Sequence, residues 1–295
     1  MRKIVYARPN SLTEAIGLLG ESGVVSRPLA GGTDLAVWLR KAEADFDRLV
    51  DISRLAELKR IEISSVEGEP RLVIGAAVTF TEAANNEVLK KAAPDLTIAC
   101  INVGGPAIRN AGTIGGNVGN AAACADSLPA LACHEAIVHL ASSSGTREAP
   151  LSQFVKGANR TDIRPGELIT HFTLKVLPEG STGTFIKLGR RNAQAISRLS
   201  VAALGRTDSD GRVDFVRISA GAAAPRAERV IEAESLLTGS KADDALLSAA
   251  GASVAAWMIS VSGRRWSTEY KEPAVAAMAE RALRRVLRGE LPHEN

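Results

Sequence analysis

Between Asn102 and Asp126 the chain places six glycines and almost no bulky side chain in twenty-five consecutive positions. Such a stretch has little to pack, and each glycine gives up more backbone freedom on folding than any other residue. The sequence therefore predicts neither ordinary helix nor strand there, but turns in which backbone comes close to something else. The expected neighbour is a ligand. Arg109, Asn110, Thr113, Asn117 and Asn120 set short donors and acceptors among the glycines, and Asp126 follows. Exposed N–H groups around Gly115 and Gly116 would form an anion-binding nest, and Asp126 could accept hydrogen bonds from ribose-type hydroxyls.

Thr113-Ile114-Gly115-Gly116-Asn117 with Asp126 resembles the second flavin-binding motif of the FAD subunits of molybdenum hydroxylases, the xanthine dehydrogenase and carbon monoxide dehydrogenase flavoprotein family. Ala123 stands where that family usually has a proline before the aspartate. Upstream, a strand over Ser26 to Ala30 is expected to deliver the chain into Ala30-Gly31-Gly32-Thr33-Asp34-Leu35, a glycine turn opening a helix through Leu35, Val37, Trp38 and Leu39. Strand, glycine loop and helix N-terminus together offer N–H groups to a pyrophosphate. By itself a Gly-Gly before a helix is more often only a turn, and neither G-x-G-x-x-G nor a P-loop is present. The hexapeptide is, however, similar to the first flavin motif of the same family, at about the family's separation from the second.

The resemblance implies that Leu29, Ala30, Gly31, Gly32, Thr33, Asp34 and Leu35 on one side, and Thr113, Gly115, Gly116 and Asn117 on the other, grip the pyrophosphate and ribityl of an FAD, in a fold unrelated to the Rossmann type. It also implies cofactor contacts from Val103, Asp126 and Ile169. The simpler reading of Asp126 is an N-cap for a helix over Leu128 to Ala132.

At 295 residues and 45% hydrophobic content the chain has room for two domains with sizeable cores. No apolar run reaches membrane-spanning length, and the N-terminus is too soon broken by Pro9 for a signal peptide; the expected location is the cytoplasm. Cys100, Cys124 and Cys133 are odd in number and lack Cys-x-x-Cys spacing, which predicts free thiols rather than disulfides, a metal site or a cluster. With 36 basic against 33 acidic residues and two tyrosines, no basic surface with interleaved aromatics is expected for nucleic acid.

In chain order, Lys3 to Ala7 reads as a strand, and Ser11-Leu12-Thr13-Glu14 as a capping box whose helix runs to Gly23. Strands follow at Leu49 to Ile52, Ile61 to Ser64 and Leu72 to Ala77. Thr79 with Glu82 caps a helix, Pro94 starts another, and strands recur at Ala136 to Ala141 and Glu167 to Val176. A boundary is placed near Pro178 to Gly183. Beyond it come strands at Thr184 to Leu188, Leu199 to Arg206 and Val213 to Ala220, then helices from Pro225 to Leu237, Asp243 to Ser260 and Glu269 to Leu287. Strands followed by helices mark an α+β unit.

The expected class is thus α+β. The resemblance implies a two-part FAD-binding domain of the PCMH type over 1–178, with parts of about 1–55 and 56–178, and the pattern beyond the boundary predicts a smaller α+β domain with a three-stranded sheet plus helices over 179–295. Phe185 to Arg191 resembles the family's Lys-x-x-Arg-Arg signature, which makes Lys187 a candidate flavin contact; taken alone it reads as a surface lysine. A cation beside the flavin pyrimidine edge would favour the anionic reduced ring.

Other residues predict less. His134 and His139, five apart, do not share a helical face and read as structural or surface histidines. Trp257 and Trp266 are expected to pack, and Arg281, Arg284, Arg285 and Arg288 to form a solvated basic face. No Gly-x-Ser-x-Gly elbow or Ser-His-Asp set supports hydrolysis.

The family resemblance implies an FAD subunit taking electrons from a small [2Fe–2S] subunit, beside a large molybdopterin-containing subunit, and passing them to NAD, oxygen or a quinone. Thr33-Asp34 is closer to the xanthine and nicotinate branches than to the carbon monoxide branch, and no cysteine-rich loop of the benzoyl-CoA reductase branch is visible. Two alternatives stand beside it: a stand-alone FAD oxidoreductase of the same superfamily, and a flavin-free structural subunit.

Overall fold

The structure is a computed structural model that describes residues 4–41, 45–66 and 68–290. The chain opens with β1 (Val5–Ala7), α1 (Leu12–Leu19), β2 (Ser26–Leu29), α2 (Leu35–Arg40) and β3 (Arg48–Asp51). The three strands form a parallel sheet in the order β1-β3-β2, and Ala15 and Leu19 of α1 pack with Val50, Ile52, Leu55 and Leu58 in a small core. Lys3, where the first strand was expected to begin, lies outside the described residues. Ser11 caps α1 by accepting from Glu14 N–H. Glu14 reaches past it to the N–H of Asn10, so only half of the predicted box forms. The helix stops at Gly20, not Gly23.

The middle of the chain holds β4 (Ile61–Val66), β5 (Glu69–Gly75), six helices, α3 (Phe80–Asn85), α4 (Glu87–Ala92), α5 (Pro94–Asn102), α6 (Pro106–Ala111), α7 (Ile114–Asn120) and α8 (Ser127–Cys133), and then β6 (Ile137–Ser142) and β7 (Gly145–Pro150). After them come α9 (Leu151–Phe154), β8 (Val155–Gly157), β9 (Arg160–Thr161) and β10 (Leu168–Lys175). An antiparallel sheet runs β4-β5-β10-β6-β7. Alternate side chains, Leu72 and Ile74, Phe172 and Leu174, Val138 and Leu140, point to one face and make the main core with the helices, as the two-residue period of a strand requires. The Thr79–Glu82 capping box forms in full at the head of α3.

The glycine-rich stretch departs from expectation, because it contains two short helices. Pro106 sits in the first turn of α6, and Thr113 caps α7 by accepting from Gly116 N–H. Gly115, Gly116 and Gly119 are therefore helical. Their small size, not freedom from helix, is what the packing uses: a Cβ on Gly115 would lie 2.5 Å from the carbonyl oxygen of Ala76.

The last part comprises β11 (Thr182–Leu188), β12 (Leu199–Thr207) and β13 (Val213–Gly221), an antiparallel sheet, followed by α10 (Ile231–Leu237), α11 (Asp244–Ser262) and α12 (Thr268–Arg288). One face, with Leu199, Val201, Ala203, Ile218 and Ala220, packs under the three helices. The other face sends Phe185, Ala202 and Leu204 into the main core, against α5 and α8. The first of these helices begins at Ile231 rather than Pro225, since Arg229 first pairs with Ser219 as an isolated bridge. Among the described residues α11 is one helix long and apolar enough to cross a membrane, a run the sequence reading missed. Its Leu247, Ala250, Gly251, Val254 and Met258 are buried in the second core, which is the position of a core helix.

Candidate functional site

The two glycine segments meet. Gly31 lies so close to the start of the second segment that a Cβ on it would stand 1.9 Å from the carbonyl oxygen of Ala111 and 2.8 Å from Cα of Gly112. Across the same junction Asn120 Nδ2 donates to Asp34 Oδ2 at 3.1 Å. Glycine at 31 is thus required by backbone packed on backbone. Gly32 takes a left-handed φ of +67°, which turns the chain back so that α2 can start at Leu35.

The amides divide unequally between the segments. At the head of α7, Ile114 N–H donates to Val78, Gly115 N–H to Ala76, Gly116 N–H to Thr113 Oγ1 and Asn117 N–H to the Thr113 carbonyl, at 2.9–3.0 Å. The nest expected around Gly115 and Gly116 is therefore used up internally, because a helix N-terminus buried against a strand end must satisfy its donors. In the first turn, by contrast, the backbone N–H groups of Gly31, Gly32, Thr33 and Asp34 find no acceptor within the chain among the described residues.

Between the segments lies a cleft of about 220 Å3. Ala30, Gly31, Gly32, Thr33, Asp34 and Leu35 line one wall, and Thr113, Gly115, Gly116, Asn117, Gly119 and Asn120 the other. Gly116 and Gly119, three apart on α7, leave that wall bare: a Cβ on Gly119 would meet only the tip of Ile169, at 3.6 Å. Buried Ile169, Ile52, Phe80 and Leu168 line the cleft together with Ile163, and exposed Arg27 and Trp38 complete the lining. Trp38 follows Leu35 at helical spacing, so both face the cleft; the sequence reading did not select it, nor Arg27, Phe80, Ile163 or Leu168.

The remaining expected site residues stand elsewhere. Leu29, Val103, Asp126 and Lys187 do not line this cleft. Asp126 occupies the N-cap position of α8 yet makes no side-chain cap bond. Its buried carboxylate instead receives Lys187 Nζ at 2.6 Å and the hydroxyl of Ser197. Lys187 Nζ also donates to the Asn102 carbonyl at 2.8 Å, immediately before Val103. Its side chain is 10% exposed, so it is not a surface lysine. An ammonium has three donors, and two are engaged.

Burial pushes the Asp126 carboxyl up, and Lys187 and Ser197 oppose that push. The half-buried Cys124 thiol is raised first by burial and then by Asp126, with a further contribution from Asp34. Cys124 therefore lies within electrostatic reach of both the first turn and the Asp126–Lys187 pair, which are parts of one region.

The residues set aside in the sequence behave variously. His134 is fully buried against Asp95, and His139 stacks on His171 with ring centroids 4.1 Å apart. Trp257 packs on the second core, but Trp266 is 89% exposed, contrary to expectation. Arg284 and Arg288 are tied to Asp244, Glu280 and Glu290, so the last helix carries an ion-pair network rather than a purely solvated face. No group of three His, Cys, Asp or Glu able to hold a metal occurs among the described residues.

Comparison with known proteins accounts for both parts of the chain. Residues 2–175 match the family model described as the FAD binding domain in molybdopterin dehydrogenase, and residues 184–286 the carbon monoxide dehydrogenase flavoprotein C-terminal domain. The xanthine dehydrogenase FAD-binding subunit of Escherichia coli O157:H7 is 30% identical over 279 residues, covering 94% of each chain. The glyceraldehyde dehydrogenase medium chain of Sulfolobus acidocaldarius is 30% identical over 281 residues, 95% of this chain and 97% of that one. A chain of the solved Cu,Mo-CO dehydrogenase superposes with a TM-score of 0.89 at 27% identity, covering 98% of this chain and 99% of that chain. With a two-part flavin domain, a C-terminal domain and FAD as its cofactor, the chain belongs to the family of FAD-binding subunits of the molybdenum hydroxylases, which includes those of xanthine and carbon monoxide dehydrogenases.

Proposed function

We propose that this chain holds the FAD through which electrons from the [2Fe–2S] clusters of a small partner subunit reach an acceptor such as NAD, while a large molybdopterin-containing subunit hydroxylates the substrate. The observation that carries the reading is the cleft between the converging glycine segments. One wall carries four backbone N–H groups that have no acceptor among the described residues, and the other is left without side chains at Gly116 and Gly119. The Asp34 carboxylate is engaged by Asn120, and the free backbone donors of a glycine turn suit a diphosphate. The cleft is smaller than the roughly 300–1,000 Å3 of ordinary ligand pockets, so a dinucleotide would occupy it in part and continue across the surface toward Val103, Asp126 and Lys187.

Each residue then has a definable task. Gly31, Gly32, Thr33 and Asp34 donate to the diphosphate; Leu29, Ala30 and Leu35 hold the turn. Thr113 and Asn117 offer short polar groups beside bare Gly116 and Gly119, while Gly115 holds the helix against Ala76. Ile169 shields the cleft from water. Lys187, fixed by Asp126 and the Asn102 carbonyl, presents its remaining N–H to the ring. Bound FAD supplies the exchange between one-electron and two-electron carriers.

Purification of the chain alone tests this reading: it should carry flavin absorbance and reduce dyes with NADH, without turning over an organic substrate. Turnover by the isolated chain would favour the stand-alone oxidoreductase. Purification from the native host should bring a molybdenum subunit and an iron–sulfur subunit with it.

A further inference from the structure

Asp95 and His134 meet at 2.8 Å with both side chains fully buried, and Asp95 Oδ2 and His134 Nδ1 find no hydrogen-bond partner among the described residues. A buried polar pair of this kind is a poor source of stability, since apolar groups of similar volume often do as well or better. Its place in the fold gives it another use. Asp95 stands in the first turn of α5 and His134 at the end of α8. At the opposite ends of the same two helices, the Asn102 carbonyl and the Asp126 carboxylate both receive Lys187 Nζ, at 2.8 and 2.6 Å. The helices are therefore antiparallel struts, joined at one end by the buried pair and at the other by the ammonium. A helix rises about 1.5 Å per residue, so a slip of one residue between them would separate the two acceptors by more than a hydrogen bond tolerates.

We propose that Asp95–His134 is a positioning pair: it fixes α5 against α8 and so sets where Lys187 presents its free N–H. The proposal rests on the reading of Lys187 as a cofactor contact. Apolar side chains fill the rest of this interface, and a directional bond is what holds two such surfaces in one register.

A double-variant cycle on the full chain tests it, read by FAD dissociation constant and flavin midpoint potential. Lys187→Met should weaken FAD about tenfold, as expected for one charge-assisted hydrogen bond, and lower the potential. The volume-conserving exchange Asp95→Ala with His134→Phe, confirmed folded by its melting transition, should weaken FAD at least threefold and lower the potential. In the Lys187→Met background the same exchange should change affinity by less than twofold and leave the potential where Lys187→Met put it. Asp95→Asn, which keeps an acceptor for His134 and a nearly unchanged shape, should restore wild-type values. The inference is overturned if the exchange acts equally in both backgrounds, if it has no effect while Lys187→Met does, or if Asp95→Asn behaves like the exchange. Should Lys187→Met itself change neither quantity, the reading beneath fails and takes the proposal with it.

Discussion

Replacing Gly31 by alanine strikes the junction on which the cleft depends. The added methyl carbon would sit 1.9 Å from the Ala111 carbonyl oxygen, 2.5 Å from its carbon and 2.8 Å from Cα of Gly112. All three are backbone atoms, so no flexible side chain can swing away. Ordinary contact begins near 3.4 Å, and the two segments must separate by about 1.5 Å. That displacement suffices to break the 3.1 Å bond from Asn120 to Asp34 and to misdirect the amides of Gly31 to Asp34. Overpacking of this kind costs about 1–3 kcal/mol, a fall of several degrees in melting temperature. Loss of one amide bond to a charged diphosphate, about 1.5–3 kcal/mol, weakens FAD roughly 10- to 100-fold. Flavin fluorescence titration and thermal melting measure both. Gly17→Ala in exposed α1, where nothing lies within 4 Å of the new carbon, is the control and should stabilise by about 1 kcal/mol. A Gly31→Ala protein with wild-type affinity and melting temperature would refute the convergence argument.

Three further outcomes follow from the charges. Burial raises the folded pKa of Asp126 above its unfolded value, so its contribution is complete at low pH and is lost as pH rises through the folded value; Lys187→Met removes the opposing pull, and its stability deficit in urea melts should grow as pH rises above the ordinary carboxylate range. His171 is lowered to about 4, chiefly by burial and then by His139 and Arg60. Its stabilising contribution is present above about 6.5 and lost as pH falls toward 4, and His171→Gln should flatten the stability curve across that window. Of the three cysteines, Cys100 and Cys133 are buried and Cys124 is half-exposed with a raised pKa, so a thiol reagent on native protein should label one site, slowly at neutral pH, and Cys124→Ser should abolish that labelling.

Much of the fold was readable in the sequence because its signals were local. Strands with branched aliphatics, the Thr79–Glu82 box and Pro94 all act within one turn, and they appear where expected. The helices inside 102–126 were not readable, since glycine propensity argues against them and only packing of α7 on Ala76 and Val78 overrides it. The site divides the same way. Both glycine segments were identified, but which of them keeps its amides free depends on partners about forty residues away in sequence. Asp126 and Lys187 were selected separately, and nothing local shows that they bond to each other or that Ser197 joins them. Trp38 and Phe80 enter the cleft only through tertiary placement.

The central claim is that the first glycine turn, not the second, offers its amides to the cofactor. Hydrogen–deuterium exchange with and without FAD measures it directly. The account predicts strong protection on FAD binding at Gly31 to Asp34 and little change at Ile114 to Asn117, whose amides are already bonded. Unchanged exchange at Gly31 to Asp34, with protection confined to α7, would contradict it.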